Sequence, residues 1–286
     1  MKAGALHAML RPGRLVALVG GGGKTTTGER LVLEAAAAGR RAILTTTTKT
    51  FAAAPFAVRL FESAREAARA LGPGDLPALV ARRGSREDKL EGFEAAEVPL
   101  LLEAADLVVV EADGARRLPI KAFSPDEPVL PTGLDDYVVV VGMASIGRPI
   151  EEGSVHRPEA LARVLGMPLG TRLDEEMIAR AVLAPGYLSA APEGARVSVL
   201  LWGATTPALL AAAERIAARL LADARVARVI TGDLRDERAG LHLFENAPPP
   251  GRGTCDAEGG MIPDAPPPGR GSHGAEGGMT PTRERE

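Results

Sequence analysis

The stretch Leu15-Val16-Ala17-Leu18-Val19-Gly20-Gly21-Gly22-Gly23-Lys24-Thr25-Thr26-Thr27 decides the fold class of this chain. An apolar run with strand character ends in four consecutive glycines, and a helix-forming run begins at Lys24. Strand, glycine loop and helix start make the layout of a phosphate-binding site. The first N–H groups of a helix have no intrahelical partner, and the helix dipole adds partial positive charge beside them. Glycine lets the backbone approach an anion with no Cβ in the way. Lys24 can reach outer phosphates, and the Thr25 hydroxyl is placed to ligate Mg²⁺. Gly20, Gly21, Gly22, Gly23, Lys24, Thr25 and Thr26 are therefore the expected phosphate contacts. The spacing is that of a shortened loop, G-x-x-G-K-T, because the longer G-x-x-x-x-G-K-[ST] pattern wants glycine where Leu18 stands. A flexible glycine turn between a strand and a helix is the competing reading.

Working outward, the following elements build a parallel sheet. Residues 24–38 are rich in Ala, Leu and Glu, and Gly39 supplies a C-cap. The next strand runs from Ala42 to Thr47. Together these form a βαβ unit of about 30 residues, which predicts parallel strands joined by a right-handed crossover. Leu107 to Glu111 is a nearly continuous β-branched run, as in a central strand buried on both faces. Tyr137 to Val141, Val197 to Trp202 and Val226 to Thr231 read as further strands, and helices are predicted over 62–71, 158–166, 174–184 and 206–221. Apolar strands alternating with helices give an α/β fold, a three-layer sandwich with a mostly parallel sheet, P-loop NTPase-like.

A phosphate loop needs an acidic partner at the end of a neighbouring strand, where open α/β sheets bind their ligands. Glu111 and Asp113 stand there. Asp113 is the expected metal ligand beside Thr25, Glu111 a candidate general base, and the Gly114 N–H a candidate donor to the terminal phosphate. Lys24, Glu111 and Asp113 make up the expected catalytic set, with Asp113-Gly114 as a plain turn the alternative. Thr45 to Thr50 also closes a strand and offers a functional hydroxyl, with Lys49 beside it, although threonine is a good strand former in its own right. Arg116, Arg117 and Lys121 form a basic cluster that either holds an anionic substrate or is a solvated loop. His156 stands before a helix starting near Pro158 and reads as a surface histidine.

Composition narrows the function. Of 286 residues 45% are apolar but only 3% aromatic, so the core must be aliphatic. A net charge of −3 argues against a generally basic, nucleic-acid-binding surface. The single cysteine, Cys255, excludes an intrachain disulfide and an all-thiolate metal site. With no apolar stretch of membrane-spanning length and no signal-peptide pattern, a cytoplasmic location away from membranes is expected. Beyond residue 246 the character changes. Ala247 to Gly253 recurs as Ala265 to Gly271, and Ala257 to Met261 recurs as Ala275 to Met279. The expected organisation is a nucleotide-binding α/β domain over 1–246 and a Pro/Gly-rich repeat tail over 247–286 that cannot bury a core.

Several segments taken in order resemble the YqeC family. They are Val19 to Thr26, Thr45 to Lys49, Glu111 to Arg116, Leu118 to Lys121, Glu127 to Pro131 and Val155 to Glu159. Members of that family are described as selenium-dependent hydroxylase accessory proteins, and the resemblance covers about residues 1–235. It implies a P-loop-type protein binding Mg²⁺ and ATP or GTP, and linked to maturation of a molybdenum hydroxylase or to its cofactor-insertion machinery. The shortened loop is also similar to that of Mur-type ligases. Where a guanine-reading Asn-Lys-x-Asp stretch would follow the late strand, this chain has Leu201-Trp202-Gly203-Ala204-Thr205-Thr206, which gives no basis for GTP over ATP. Two alternatives stay open: an ATP-dependent ligase or kinase acting on a small anionic substrate near Arg116, Arg117 and Lys121, and a non-hydrolysing binder of a phosphate-bearing cofactor.

Overall fold

A computed structural model of the chain describes residues 5–52, 54–86, 89–233 and 240–245. The expected repeat tail lies outside the described residues. The chain begins with α1 (Leu6–Leu10), β1 (Leu15–Gly20) and α2 (Lys24–Ala37). Next come β2 (Ala42–Thr46), β3 (Lys49–Phe51), β4 (Ala57–Leu60), α3 (Ala64–Ala70), β5 (Ala78–Arg83) and β6 (Lys89–Glu91). A 3₁₀ turn over Val98–Glu103 leads into β7 (Leu107–Glu111). Two very short strands, β8 (Ile120–Lys121) and β10 (Val155–His156), bracket the long β9 (Asp136–Gly142). The order closes with α4 (Pro158–Leu165), α5 (Glu175–Leu183), β11 (Arg196–Trp202), α6 (Pro207–Leu221), β12 (Val226–Gly232) and β13 (His242–Glu245).

The sheet runs β13-β12-β11-β9-β1-β7-β2-β5-β6-β3, with β4 also paired to β5. Pairing is parallel from β12 through to β5 and β4, and antiparallel where β13, β6 and β3 join. The central strands alternate between two apolar layers. Leu15, Ala17 and Val19 of β1 face α3, α4, α5 and α6, while Val16 and Leu18 face α1 and α2. Strands β7 and β9 divide in the same way, with Val108, Val110, Tyr137 and Val139 on the first side and Val109 and Val138 on the second. A sheet buried on both faces by helices is the three-layer sandwich that the apolar runs imply.

The predicted elements recur with ends shifted by a residue or two, as fraying and caps allow. The Thr206 hydroxyl accepts from the Leu209 N–H and caps α6, and Pro207 sits at its first position. Strand β5 runs on to Arg83 and β6 pairs back against it, with Arg82 opposite Glu91. Strand β13 went unforeseen. Its half-buried His-Leu-Phe-Glu run is too short to separate from loop by pattern. Among the described residues no helix is long and apolar enough to cross a membrane.

One detail of order positions the site. Strands β1 and β2 flank the glycine loop in sequence but are not neighbours, because β7 lies between them. Leu18 pairs with Glu111 on one side, and Thr46 pairs with Glu111 on the other. That insertion carries the end of β7, and Asp113 beyond it, to the mouth of the glycine loop.

Candidate functional site

The loop is held tightly, and its glycines are required for two reasons. Gly20, Gly22 and Gly23 adopt φ of +98°, +78° and +133°, which L side chains rarely take. A Cβ on Gly20 would lie 2.3 Å from the Val140 carbonyl oxygen, on Gly21 2.7 Å from that of Leu118, and on Gly22 2.7 Å from Gly142. On Gly23 it would meet the Trp202 ring at 3.0–3.2 Å. The neighbouring chain therefore demands glycine here whatever the loop binds. Beyond the loop, α2 begins after Gly23, its N-cap, with no side-chain cap and no acidic residue in its first turn. Its leading N–H groups, those of Lys24, Thr25 and Thr26, precede the first intrahelical bond, from Thr27 N–H to the Gly23 carbonyl.

The two carboxylates at the end of β7 take different places. Asp113 is buried, and its Oδ2 accepts from the Gly20 N–H at 2.7 Å. The Lys24 ammonium stands 2.7 Å from Oδ1, off the angle of a hydrogen bond, so charge alone holds that oxygen. Lys24 also donates to the Gly20 carbonyl and is itself buried. Glu111, in contrast, lies near the Thr25 hydroxyl. Burial pushes the Glu111 carboxyl up; the Lys24 charge and the Thr25 hydroxyl oppose that rise, and the Asp113 charge adds to it. Glu29 on α2 is also raised, by burial and then by the charge of Glu111. Thr25 thus meets Glu111, while Asp113 faces the loop backbone and the lysines. Thr26 is half-buried in the first turn of α2.

Behind Asp113 an ion chain leads away from the loop. The fully buried Lys121 stands 3.6 Å from Asp113 and donates to the Gly114 carbonyl and to Glu127, each at 2.6 Å. Glu127 also accepts from Arg157 at 2.6 Å. Burial alone would raise the Glu127 carboxyl, but the hydrogen bonds from Arg157 and Lys121 outweigh it and hold it at about 2. Both tyrosines of the chain brace this network. Tyr137 donates to the Tyr187 carbonyl at 2.8 Å, and Tyr187 donates to the Lys121 carbonyl at 2.9 Å. Tyr187 also packs beneath Gly20.

This chain of charges makes the fold acid-sensitive. A carboxylate with a depressed folded pKa stabilises the fold fully above its unfolded pKa, and that stability is lost as pH falls through the folded value. For Glu127 the window runs from the ordinary carboxyl value of 4.5 down to about 2. The loss should reach on the order of 3 kcal/mol. Glu127→Gln should flatten that part of the pH profile of urea midpoints. An unchanged profile would show that Glu127 is not held by the two cations.

The expected basic cluster does not assemble. Lys121 is turned inward, the Arg117 guanidinium lies 4.1 Å from the Phe51 ring centroid, and Arg116 lines a cleft of about 430 Å³ with His156, Arg157 and Glu152. Arg116, Arg117 and Arg157 all have positive φ, a strained state for non-glycine residues that is common at binding sites. Burial, then the charges of Arg157, Lys121 and Arg116, lower His156 to about 4, so it is neutral at pH 7. The Thr45, Thr46 and Thr47 hydroxyls donate to the carbonyls of Val80, Glu111 and Val129, so they brace the strand ends. Lys49 is exposed and 3.7 Å from Glu91. Among the described residues, no three His, Cys, Asp or Glu side chains gather as a metal cluster.

Sequence reasoning gave no individual role to Glu127, Arg157, Tyr137, Tyr187 or Trp202. A signal existed for the aromatics. In a chain with two tyrosines and one tryptophan, all three sit against the loop or its ion chain.

Comparison with known proteins places these segments together. The family model described as YqeC protein matches residues 16–159, which include the glycine loop, both carboxylates, Lys121, Glu127 and Arg157. A protein of Escherichia coli (strain K12), described as "Uncharacterized protein YqeC", is 27% identical over 115 residues, covering 39% of this chain. The matched part spans 45% of that relative's length. With half of its length matched by the family model, and with the matched segments folded around one loop, the chain belongs to the YqeC family.

Proposed function

We propose that this chain binds a Mg²⁺-nucleoside triphosphate, ATP or GTP, at the Gly20–Thr26 loop and turns it over slowly. We propose further that it serves as an accessory protein in maturation of a selenium-dependent molybdenum hydroxylase. The observation that carries the nucleotide part is the convergence of the Gly20 N–H and the Lys24 ammonium on one buried carboxylate, beside a helix N-terminus that no side chain caps. Such donors suit a phosphate anion. The hydroxylase role rests on the family resemblance.

The donor set fits Mg²⁺. Thr25 and Glu111, near each other at the loop exit, offer hard oxygens, and Mg²⁺ takes one or two protein oxygens beside waters and phosphates. Bound there, the ion would neutralise charge on the phosphate oxygens. In this reading Glu111 takes the metal position first expected of Asp113. Asp113 instead orients the Gly20 N–H and keeps the Lys24 ammonium close. Lys24 exchanges the Gly20 carbonyl for a phosphate oxygen when the loop fills. Gly114 gives its carbonyl to Lys121, so its part is to hold that lysine behind Asp113.

The only tryptophan tests this reading. Trp202 lies against Gly23, so a ligand in the loop should change its emission. Titration with ATP and with GTP in Mg²⁺ should give a saturable change for at least one of them. A flat trace with both up to about 1 mM, the weak end of ordinary enzyme affinities, would count against the proposal.

A second reading, an ATP-dependent ligase or kinase acting on a small anionic substrate, draws support from the clefts on either side of Arg157. Nucleotide turnover that depends on an added metabolite would favour it.

A further inference from the structure

The larger of those clefts has a built interior. It encloses about 590 Å³ between the 122–127 loop, α4 and the 185–190 segment, a volume that suits a small organic ligand. One wall is aromatic: the Phe123 and Tyr187 rings lie 4.6 Å apart, tilted by 48°. Leu161, Val164 and Pro185 extend the apolar surface, and Val164 is exposed at 43%. The ionic lining is unbalanced. Lys121, Arg157 and Arg163 are cationic, and Glu127 is the one carboxylate.

The three cations are not equivalent. Lys121 is fully buried and already committed to Gly114, Glu127 and Asp113. Arg157 spends Nη1 on the Ala122 carbonyl and on Glu127, and no hydrogen bond from its Nε or Nη2 to a described residue is seen. Its side chain is 31% exposed and borders both clefts. Lys121 and the two tyrosines fix Glu127, Glu127 fixes the guanidinium, and its remaining N–H groups are left for a ligand.

We propose that this cleft binds a small anion with an aromatic or otherwise planar apolar body. The anionic group pairs with Arg157, and the body packs on Phe123 and Leu161. Planar forks of N–H groups suit carboxylates, sulfonates and phosphates. The cleft is coupled to the glycine loop through a short path: Arg157 to Glu127, Glu127 to Lys121, Lys121 to Asp113, Asp113 to Gly20. This deepens the second reading above, which would use such a ligand as the substrate, while the binding itself does not require nucleotide.

The test uses two dyes and the full chain, without nucleotide, so a failure of nucleotide binding leaves it intact. 8-Anilinonaphthalene-1-sulfonate carries an aromatic body and an anion; N-phenyl-1-naphthylamine has the same body without the charge. The sulfonate should bind at one saturable site, about tenfold tighter than the neutral amine, the worth of one charge-assisted contact. Arg157→Gln should remove that difference and leave the amine unaffected. Ala160→Phe, which fills the cleft from α4, should weaken both dyes. Should Ala160→Phe fail to fold, the split between the dyes in Arg157→Gln decides alone. Equal affinities of the two dyes for the parent chain, or a sulfonate affinity unmoved by Arg157→Gln, would overturn the proposal.

Discussion

Asp113→Ala is expected to lower folding stability by about 3–5 kcal/mol, the usual consequence of removing one partner from a buried ion pair. The carboxylate is fully buried, stands 2.7 Å from Lys24 and 3.6 Å from Lys121, and accepts the Gly20 N–H. Its loss leaves the buried Lys24 ammonium with the Gly20 carbonyl and only the more distant Glu111 charge, and a buried backbone donor with no partner. Lys121 keeps Glu127. Asp113→Asn retains the shape and an acceptor for Gly20, so it should cost less than the alanine change. Adding Lys24→Ala to Asp113→Ala should recover part of the loss, because the unpaired charge leaves with it. Urea denaturation of the four proteins measures this directly. A loss below about 1 kcal/mol for Asp113→Ala would place its energy in the range of exposed pairs and contradict the burial argument.

The second large effect is on binding. Lys24→Ala should weaken nucleotide affinity at least about 100-fold, since the ammonium would make more than one charge-assisted contact to phosphate, each worth about 1.5–3 kcal/mol. Stability should respond much less than to Asp113→Ala. Without Lys24 the Asp113 carboxylate still has the Gly20 N–H and the Lys121 charge. The two substitutions at one ion pair therefore separate: Asp113→Ala costs the fold, and Lys24→Ala costs the ligand. Urea midpoints taken beside the Trp202 titration distinguish them.

The strand–loop–helix geometry around the glycines was legible in sequence because it is local. Strand, glycines, lysine and threonine are contiguous, and their spacing alone sets a helix N-terminus against a strand end. The three-layer sheet was legible for a similar reason: β7 and β9 are apolar at every position but their ends, and such runs are buried on both faces. Partner choice among the acidic residues was not legible. Which of Glu111 and Asp113 meets Thr25 depends on the insertion of β7 between β1 and β2 and on its register, both long-range properties. The Thr45–Thr50 run misled in the opposite way. Its hydroxyls look free in sequence, yet three are taken up by carbonyls of neighbouring segments. Arg116, Arg117 and Lys121 sit close in sequence, but positive φ at both arginines and the short strand β8 send the three side chains apart.

The central claim is that the Gly20–Thr26 loop takes a nucleotide phosphate chain. Calorimetric titration of the full chain with ATP and with GTP, with and without Mg²⁺ and beside Lys24→Ala, tests it most directly. One site per chain is expected for at least one nucleotide, tighter with Mg²⁺ and lost in Lys24→Ala. An affinity that Lys24→Ala leaves unchanged, or no binding heat with either nucleotide, would contradict it.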